Sequence, residues 1–264
     1  MMYRLLALLL LAVPLPVSAE PAPQGCTEHF LGGEMPDVST NRSARTKQLC
    51  FSEFALLHSG LTKTPMWSAE HLTSERIEAA AGMKRKNSFH VELKLPPDDR
   101  AEISDYKDSG FDRGHMSPNG DMPNAKAQRE SFSLANMIPQ HPCNNEGIWA
   151  GIEGAVRQLT LDEDEVFVVT GPVYLRANQQ QIGNGVLVPA QVFKAIFVPT
   201  RDEAGVYVTP NADGTELKKM SVLDLAALVE IDVFPKLTQK VKAKIMDLPP
   251  PQASKFGCRL HQGQ

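Results

Sequence analysis

Asp112-Arg113-Gly114-His115 sets a carboxylate, a guanidinium, a glycine and an imidazole in four consecutive residues. An imidazole titrates near neutrality and can take a proton from water. A guanidinium presents a planar fork that braces charge on phosphate oxygens. The glycine between them lets backbone approach closely or turn. A second stretch runs from Asn136 through Asn144-Asn145-Glu146-Gly147-Ile148-Trp149 to Glu153. Asn145 is expected at the start of a helix as its N-cap. Beyond it Trp149, Ile152, Val156 and Leu159 recur on one face at three- and four-residue steps. Glu153 follows Asn145 by two turns and falls roughly 80° around that helix, at about 100° per residue. A neutral oxygen donor with a carboxylate nearby suits a hard cation such as Mg²⁺, with Mn²⁺ a substitute. Base, cation and guanidinium are what hydrolysis of a phosphodiester requires: an activated water, charge stabilisation, and help for the leaving oxygen. On this reading His115 is the general base, Arg113 stabilises transition-state charge, and Asn145 is the metal ligand. Glu153 accepts from a water on the metal or orients an arginine. Asn136 orients its loop or His115, and Asp112 either positions Arg113 or simply ends a strand.

These groups need a frame. The chain has 264 residues, 42% of them hydrophobic, enough for a sizeable core. Residues 1–19 carry one arginine, a nearly unbroken Leu5–Leu11 run and a Val17-Ser18-Ala19 end, the pattern of a cleaved secretory signal. That apolar run is short for a membrane span, and no other stretch approaches one, so an exported protein, secreted or periplasmic, without stable membrane association is expected. The net charge is −4 over the whole chain. A nucleic-acid binder is usually basic, so any such binding here must come from a local cleft. The densest basic run, Lys84-Arg85-Lys86, is a solvated loop or a phosphate clamp. Cys26, Cys50, Cys143 and Cys258 are an even set, which in an exported chain favours two disulfides. Of three pairings, Cys26–Cys50 closes a short N-terminal loop and Cys143–Cys258 ties the tail to the candidate site. A metal site from Cys143, His141 and His115 lacks paired cysteine spacing.

Ser43–Gly60 reads as a helix through Ala44, Leu49, Phe54 and Leu57, with a strand over residues 50–57 as the alternative. Residues 65–70 read as a strand leading into a helix. The apolar, β-branched run 165–170 reads as a buried strand ended by Gly171-Pro172. Further strands are expected at 186–189, 192–198 and 205–210, and a helix at 221–228 with Ser221 as cap. Residues 240–264 are expected to wrap the surface. The mixture predicts one α+β domain over 20–264, with a mainly antiparallel central sheet flanked by helices. His58 and His71 are expected to be surface or hydrogen-bonded residues rather than ligands.

The runs DYKDSGFDRGHMSP, SLANMIPQ and NNEGIWAGIE together resemble the DNA/RNA non-specific endonucleases, closely over about 104–159 and more loosely over about 66–235. The looser part includes Trp67, Phe89 and the Val-Thr-Gly-Pro segment. The resemblance implies a ββα-metal catalytic core, Mg²⁺ dependence, nucleic acid as substrate, and products with 5′-phosphate and 3′-hydroxyl ends. It also implies an arginine ahead of an aromatic that contacts phosphate. Arg85, four before Phe89, is the nearest match, with Lys86 a rival. A phosphodiesterase of small substrates and an inactive binding module are the alternatives. The second is at odds with a chain that retains both His115 and Asn145.

Overall fold

The computed structural model describes residues 26–175 and 179–252. Short β1 (Asp37–Val38) leads into β2 (Thr46–Cys50), β3 (Ala55–Ser59) and β4 (Thr64–Thr73), and then α1 (Ser74–Ala81). Next come β5 (Asp112–His115), α2 (Ala125–Ser131), β6 (Met137–Gln140) and α3 (Ala150–Glu163). The chain continues through β7 (Glu165–Val173), β8 (Gln181–Ile182), β9 (Val186–Leu187), β10 (Gln191–Val198), β11 (Glu203–Pro210) and β12 (Lys218–Met220). It closes with α4 (Val222–Val229), β13 (Ile231–Asp232) and α5 (Gln239–Lys242). Seven strands form one sheet in the order β12-β11-β10-β7-β4-β3-β2, antiparallel throughout. The expected α+β class, with a mainly antiparallel central sheet, is what the chain adopts.

Because side chains alternate across a strand, the sheet has two cores. On one face Trp67, Ala69, Val169, Phe193 and Ala195 pack against Val222, Leu225 and Val229 of α4. On the other, Leu72, Val166, Val168 and Ile196 meet Trp149, Ile152, Val156 and Leu159. That helix stripe is the one its spacing predicts. The second face also buries polar groups. Ser68, Thr170 and Lys194 are cross-strand neighbours in one row. The Lys194 ammonium donates to the Thr170 hydroxyl at 2.7 Å and lies 5.4 Å from the centre of the Trp149 ring. Arg76 in α1 pins this side together. It donates to the Glu70 carboxylate at 2.8 Å and to the Asp121 and Glu53 carbonyls at 2.8 Å each.

Three expectations need correction. Ser43–Gly60 is not a helix but the β2–β3 hairpin, and Leu49–Leu56 and Cys50–Ala55 are directly paired across it. Local spacing there is overridden by the pairing of β3 to β4. β7 runs through Gly171-Pro172 to Val173, because Gly171 and Pro172 still oppose Phe193 and Val192 of β10. Residues 186–187 pair only with β8, in a small ribbon apart from the main sheet. Ser221 does cap α4, accepting from the Asp224 amide at 3.0 Å. In the tail, Met246 and Leu248 are buried; residues 253–264 lie outside the described residues, as do 1–25, which contain the expected signal segment.

Cys26 is bonded to Cys50, with Cα atoms 5.7 Å apart. Cys143 is also disulfide-bonded; its expected partner, Cys258, lies outside the described residues.

Candidate active site on the β5–β6 hairpin and α3

β5 and β6 form a two-stranded antiparallel ribbon of their own, with His115 opposite Met137 and Asp112 opposite Gln140. Gly114 is required there by close approach: a Cβ would sit 2.0 Å from the Gln140 side-chain oxygen. Fully buried Asn136 buckles the end of β5. Its oxygen accepts from the Ser117 amide at 3.0 Å, and its amide donates to the Ser117 and Ser131 carbonyls at 2.9 and 3.0 Å. Asn136 therefore fixes the backbone two residues beyond His115 and spends its polar atoms doing so. Beyond that loop, Asp121 accepts from Arg157 of α3 at 2.9 Å, tying ribbon to helix.

The imidazole of His115 is 8% exposed. Two aromatic rings hold it, Phe132 at 5.0 Å edge-on and Phe89 at 5.8 Å, themselves packed T-shaped at 4.8 Å. The two phenylalanines are brought together by the His90–Ser133 bridge between their loops. Nε2 of His115 is buried without a hydrogen-bond partner. Burial, reinforced by the Arg85 and Arg113 cations, pushes the imidazole down to about 3. The ring is neutral, with one nitrogen unspent.

Both guanidiniums sit on the same aromatic clasp. Arg113 lies over Phe89 at 4.2 Å and has no carboxylate partner among the described residues. Arg85 lies 5.3 Å from the Phe132 centre, donates to Asn87 at 2.8 Å, and feels Glu153 and Asp112 electrostatically. Lys86 engages Gln128 only through its backbone amide, at 2.9 Å. Of the two rivals, the structure brings Arg85 to His115.

Asn145 does not cap a helix. It lies in a wide π-type turn, Asn144–Trp149, broken at Gly147 (φ −97°, ψ −111°), and α3 begins only at Ala150. Such turns inside helical segments free side chains from the regular face. Its Nδ2 donates to the Asp112 carboxylate at 2.9 Å. That acceptor settles the amide's orientation, since the reverse would set oxygen against oxygen. Oδ1 is left without a hydrogen bond among the described residues. The neighbouring Asn144 is buried and structural: it accepts from Gln140 at 2.6 Å and donates to Thr209 and Pro210 at 3.0 and 2.9 Å. Glu153 sits one helical turn before Arg157, and burial raises its carboxyl while Arg157 and Lys194 pull it back. Among the described residues no three acidic, histidine or cysteine side chains cluster as a ready-made metal cage. The donor set, one oriented amide oxygen in a polar cleft, fits a hard cation that keeps most of its water.

The reading from spacing missed Phe132 and the Asp112–Asn145 bond. The alternation of aromatics with basic residues at 85, 89, 113 and 132 was the available signal for the first.

A two-stranded ribbon carrying a histidine, followed by a helix whose lead-in carries an asparagine, is the ββα-metal fold of nucleases. Residues 31–240 match the family model described as DNA/RNA non-specific endonuclease, and the chain belongs to that family. It is 32% identical over 241 residues to the human mitochondrial nuclease EXOG, covering 80% of this chain and 65% of that protein. It is 33% identical over 230 residues to the mitochondrial nuclease of Saccharomyces cerevisiae, covering 78% and 68%. The solved structure of the EndoG/EndoGI complex superposes with a TM-score of 0.65 at 27% identity, covering 74% of this chain and 88% of that one. The chain thus spans about two thirds of the length of these curated relatives.

Proposed function

We propose that this protein is a metal-dependent endonuclease that hydrolyses phosphodiester bonds of DNA, RNA or both with little sequence specificity. The observation that carries the reading is the unpartnered, neutral Nε2 of His115 flanked by two guanidiniums that lie on its own aromatic clasp. Asn145 Oδ1 would hold Mg²⁺, or Mn²⁺ in its place, which when bound supplies charge neutralisation at the phosphate and the leaving oxygen. Arg113 and Arg85 take the phosphate oxygens and fix the diester against the His115 edge. Their positive charge is then spent on the phosphate, which relieves the cationic part of the push on His115, the part smaller than burial. Nε2 accepts the proton of the attacking water. Glu153 holds Arg85 electrostatically, Asp112 fixes the amide of Asn145, and Asn136 positions the strand end. Products carry 5′-phosphate and 3′-hydroxyl ends.

Export is part of the proposal. Relatives bear mitochondrial names, but the 1–19 segment has a leucine run and one arginine, where a mitochondrial transit peptide would be amphipathic and arginine-rich. N-terminal sequencing of protein from the medium or periplasm, expected to begin at Glu20, tests this. Purified protein on plasmid DNA and on RNA, with Mg²⁺ or excess EDTA, tests the rest. Cleavage of at least one of the two polymers, abolished by EDTA, is expected. Undiminished cleavage in EDTA overturns the metal assignment, and failure on both polymers overturns the reading.

A further inference from the structure

Beside the aromatic clasp, an open groove of about 640 Å³ is lined by Glu102, Ile103, Ser104, Tyr106, Lys107 and Arg113. It shares Arg113 with the candidate active site, so the two are continuous. Its fixed charges are unequally spent. Glu102 accepts from Arg100 at 2.9 Å. The adjacent Asp105 is buried and accepts from the Glu102 and Asn184 backbone amides at 2.8 and 2.9 Å. The exposed ammonium of Lys107 has no partner among the described residues, and Arg113 has only the face of Phe89. Asp108, which follows in left-handed backbone (φ 55°), does not line the groove. Two cations therefore remain available in the groove. The groove also offers the 40% exposed side chain of Ile103, while Tyr106 lines it as a buried residue whose hydroxyl has no hydrogen-bond partner. Exposed apolar surface beside unpaired cations is chemistry that accepts a nucleotide: its apolar parts on the first, phosphate on the second.

We propose that this groove is a strand subsite, in which Lys107 takes the phosphate next to the one held by Arg113. The inference rests on the endonuclease reading and adds to it a preference for polymer over an isolated diester. With a net charge of −4, the chain cannot draw nucleic acid by its overall field, so each unpaired local cation should count.

The test compares Lys107→Gln with Lys240→Gln, an exposed lysine on α5 that controls for loss of one positive charge. Cleavage of a DNA strand of about 20 nucleotides and of a dinucleoside monophosphate is measured across a salt series. One released counterion per phosphate contact gives a slope of about 0.9 in log affinity against log salt. At about 0.15 M salt that corresponds to a KM about fivefold higher for Lys107→Gln on the long strand. Its kcat, and its rate on the dinucleotide, should be unchanged, and its salt slope should fall by roughly one. Lys240→Gln should match the unaltered protein. If Lys107→Gln behaves like Lys240→Gln, or weakens both substrates equally, the subsite is overturned while the endonuclease reading stands. Failure of the unaltered protein to cut the strand overturns that parent reading instead.

Discussion

Asp112 offers a direct probe of the metal assignment, because it bonds the amide of the candidate ligand Asn145. Its carboxylate accepts from Asn145 Nδ2 at 2.9 Å and thereby turns Oδ1 outward. Asp112→Ala removes that acceptor, and the amide is then free to rotate. Hydrogen bonds to a charged group contribute about 1.5–3 kcal/mol. At about 1.4 kcal/mol per tenfold, that is a loss of roughly 10- to 150-fold in metal affinity. Substitutions of groups that orient a metal ligand cost about 10–100-fold, which agrees. In a Mg²⁺ titration of nuclease activity, the half-saturating concentration for Asp112→Ala should rise by that factor. Much of the rate should return at saturating metal. Asp112→Asn retains an acceptor oxygen without the charge and should fall between the two, since charge-assisted bonds are roughly twice as strong as neutral ones. Thermal melting of each variant without metal separates this effect from misfolding. An unchanged Mg²⁺ midpoint in a folded Asp112→Ala protein would refute the assignment of Asn145 as an oriented ligand.

Other outcomes follow from the same geometry. His115→Gly should lose on the order of 10²–10⁴ in rate while keeping its metal response, with partial rescue by free imidazole; loss of metal binding instead would make His115 a ligand. Because His115 is pushed down to about 3 from about 6.5, it is neutral in the folded state at mildly acidic pH while the unfolded chain takes up a proton. Its contribution to stability should be complete above about pH 6.5 and decline as pH falls toward 3, which melting curves of the wild type and His115→Phe would reveal by their difference. Asn145→Ala should abolish most activity with little change in melting, whereas Asn144→Ala, which breaks three hydrogen bonds, two of them buried, should chiefly lower the melting temperature; equal effects on activity would show that the ligand is misassigned. Thiol labelling of denatured, unreduced protein should find no free cysteine.

Much of the architecture was legible because it depends on local patterns. The β-branched run at 165–170 marks a strand buried on both faces, and the apolar spacing from Trp149 to Leu159 marks one face of a helix. The β2–β3 hairpin reads first as a helix, with a strand over 50–57 only as the alternative, because its strands gain their identity by pairing with β4, a non-local fact. Spacing singles out Asn145 through a helix-capping geometry that it does not have. A carboxylate 33 residues earlier decides its orientation, and spacing along a helix cannot reveal that. Lys194 was hidden for the same reason. In a strand of apolar residues it reads as the outward-facing exception, but the sheet buries it against Trp149 and Thr170.

The β5–β6 ribbon has only two strands and no backbone ladder to the seven-stranded sheet. A two-stranded ribbon is marginal by itself in water. What keeps it in place is the burial of Met116 and Ile138 against the sheet and of Met137 in a neighbouring core, together with side-chain buckles: Asn136 on Ser117, Gln140 on Asn144, and Asn211, which donates to the Pro139 carbonyl at 3.0 Å. The chemistry therefore resides on a ribbon that side-chain packing and side-chain bonds, rather than a backbone ladder, hold to the sheet, and it should open before the sheet unfolds. In a urea series, activity should disappear before the far-ultraviolet signal moves, and ribbon amides should exchange with solvent faster than those of β7 and β10. Inactivation would then be a local and reversible event. Such a protein can be switched off by mild denaturing conditions and recover within the time the ribbon needs to close, without refolding the rest of the chain.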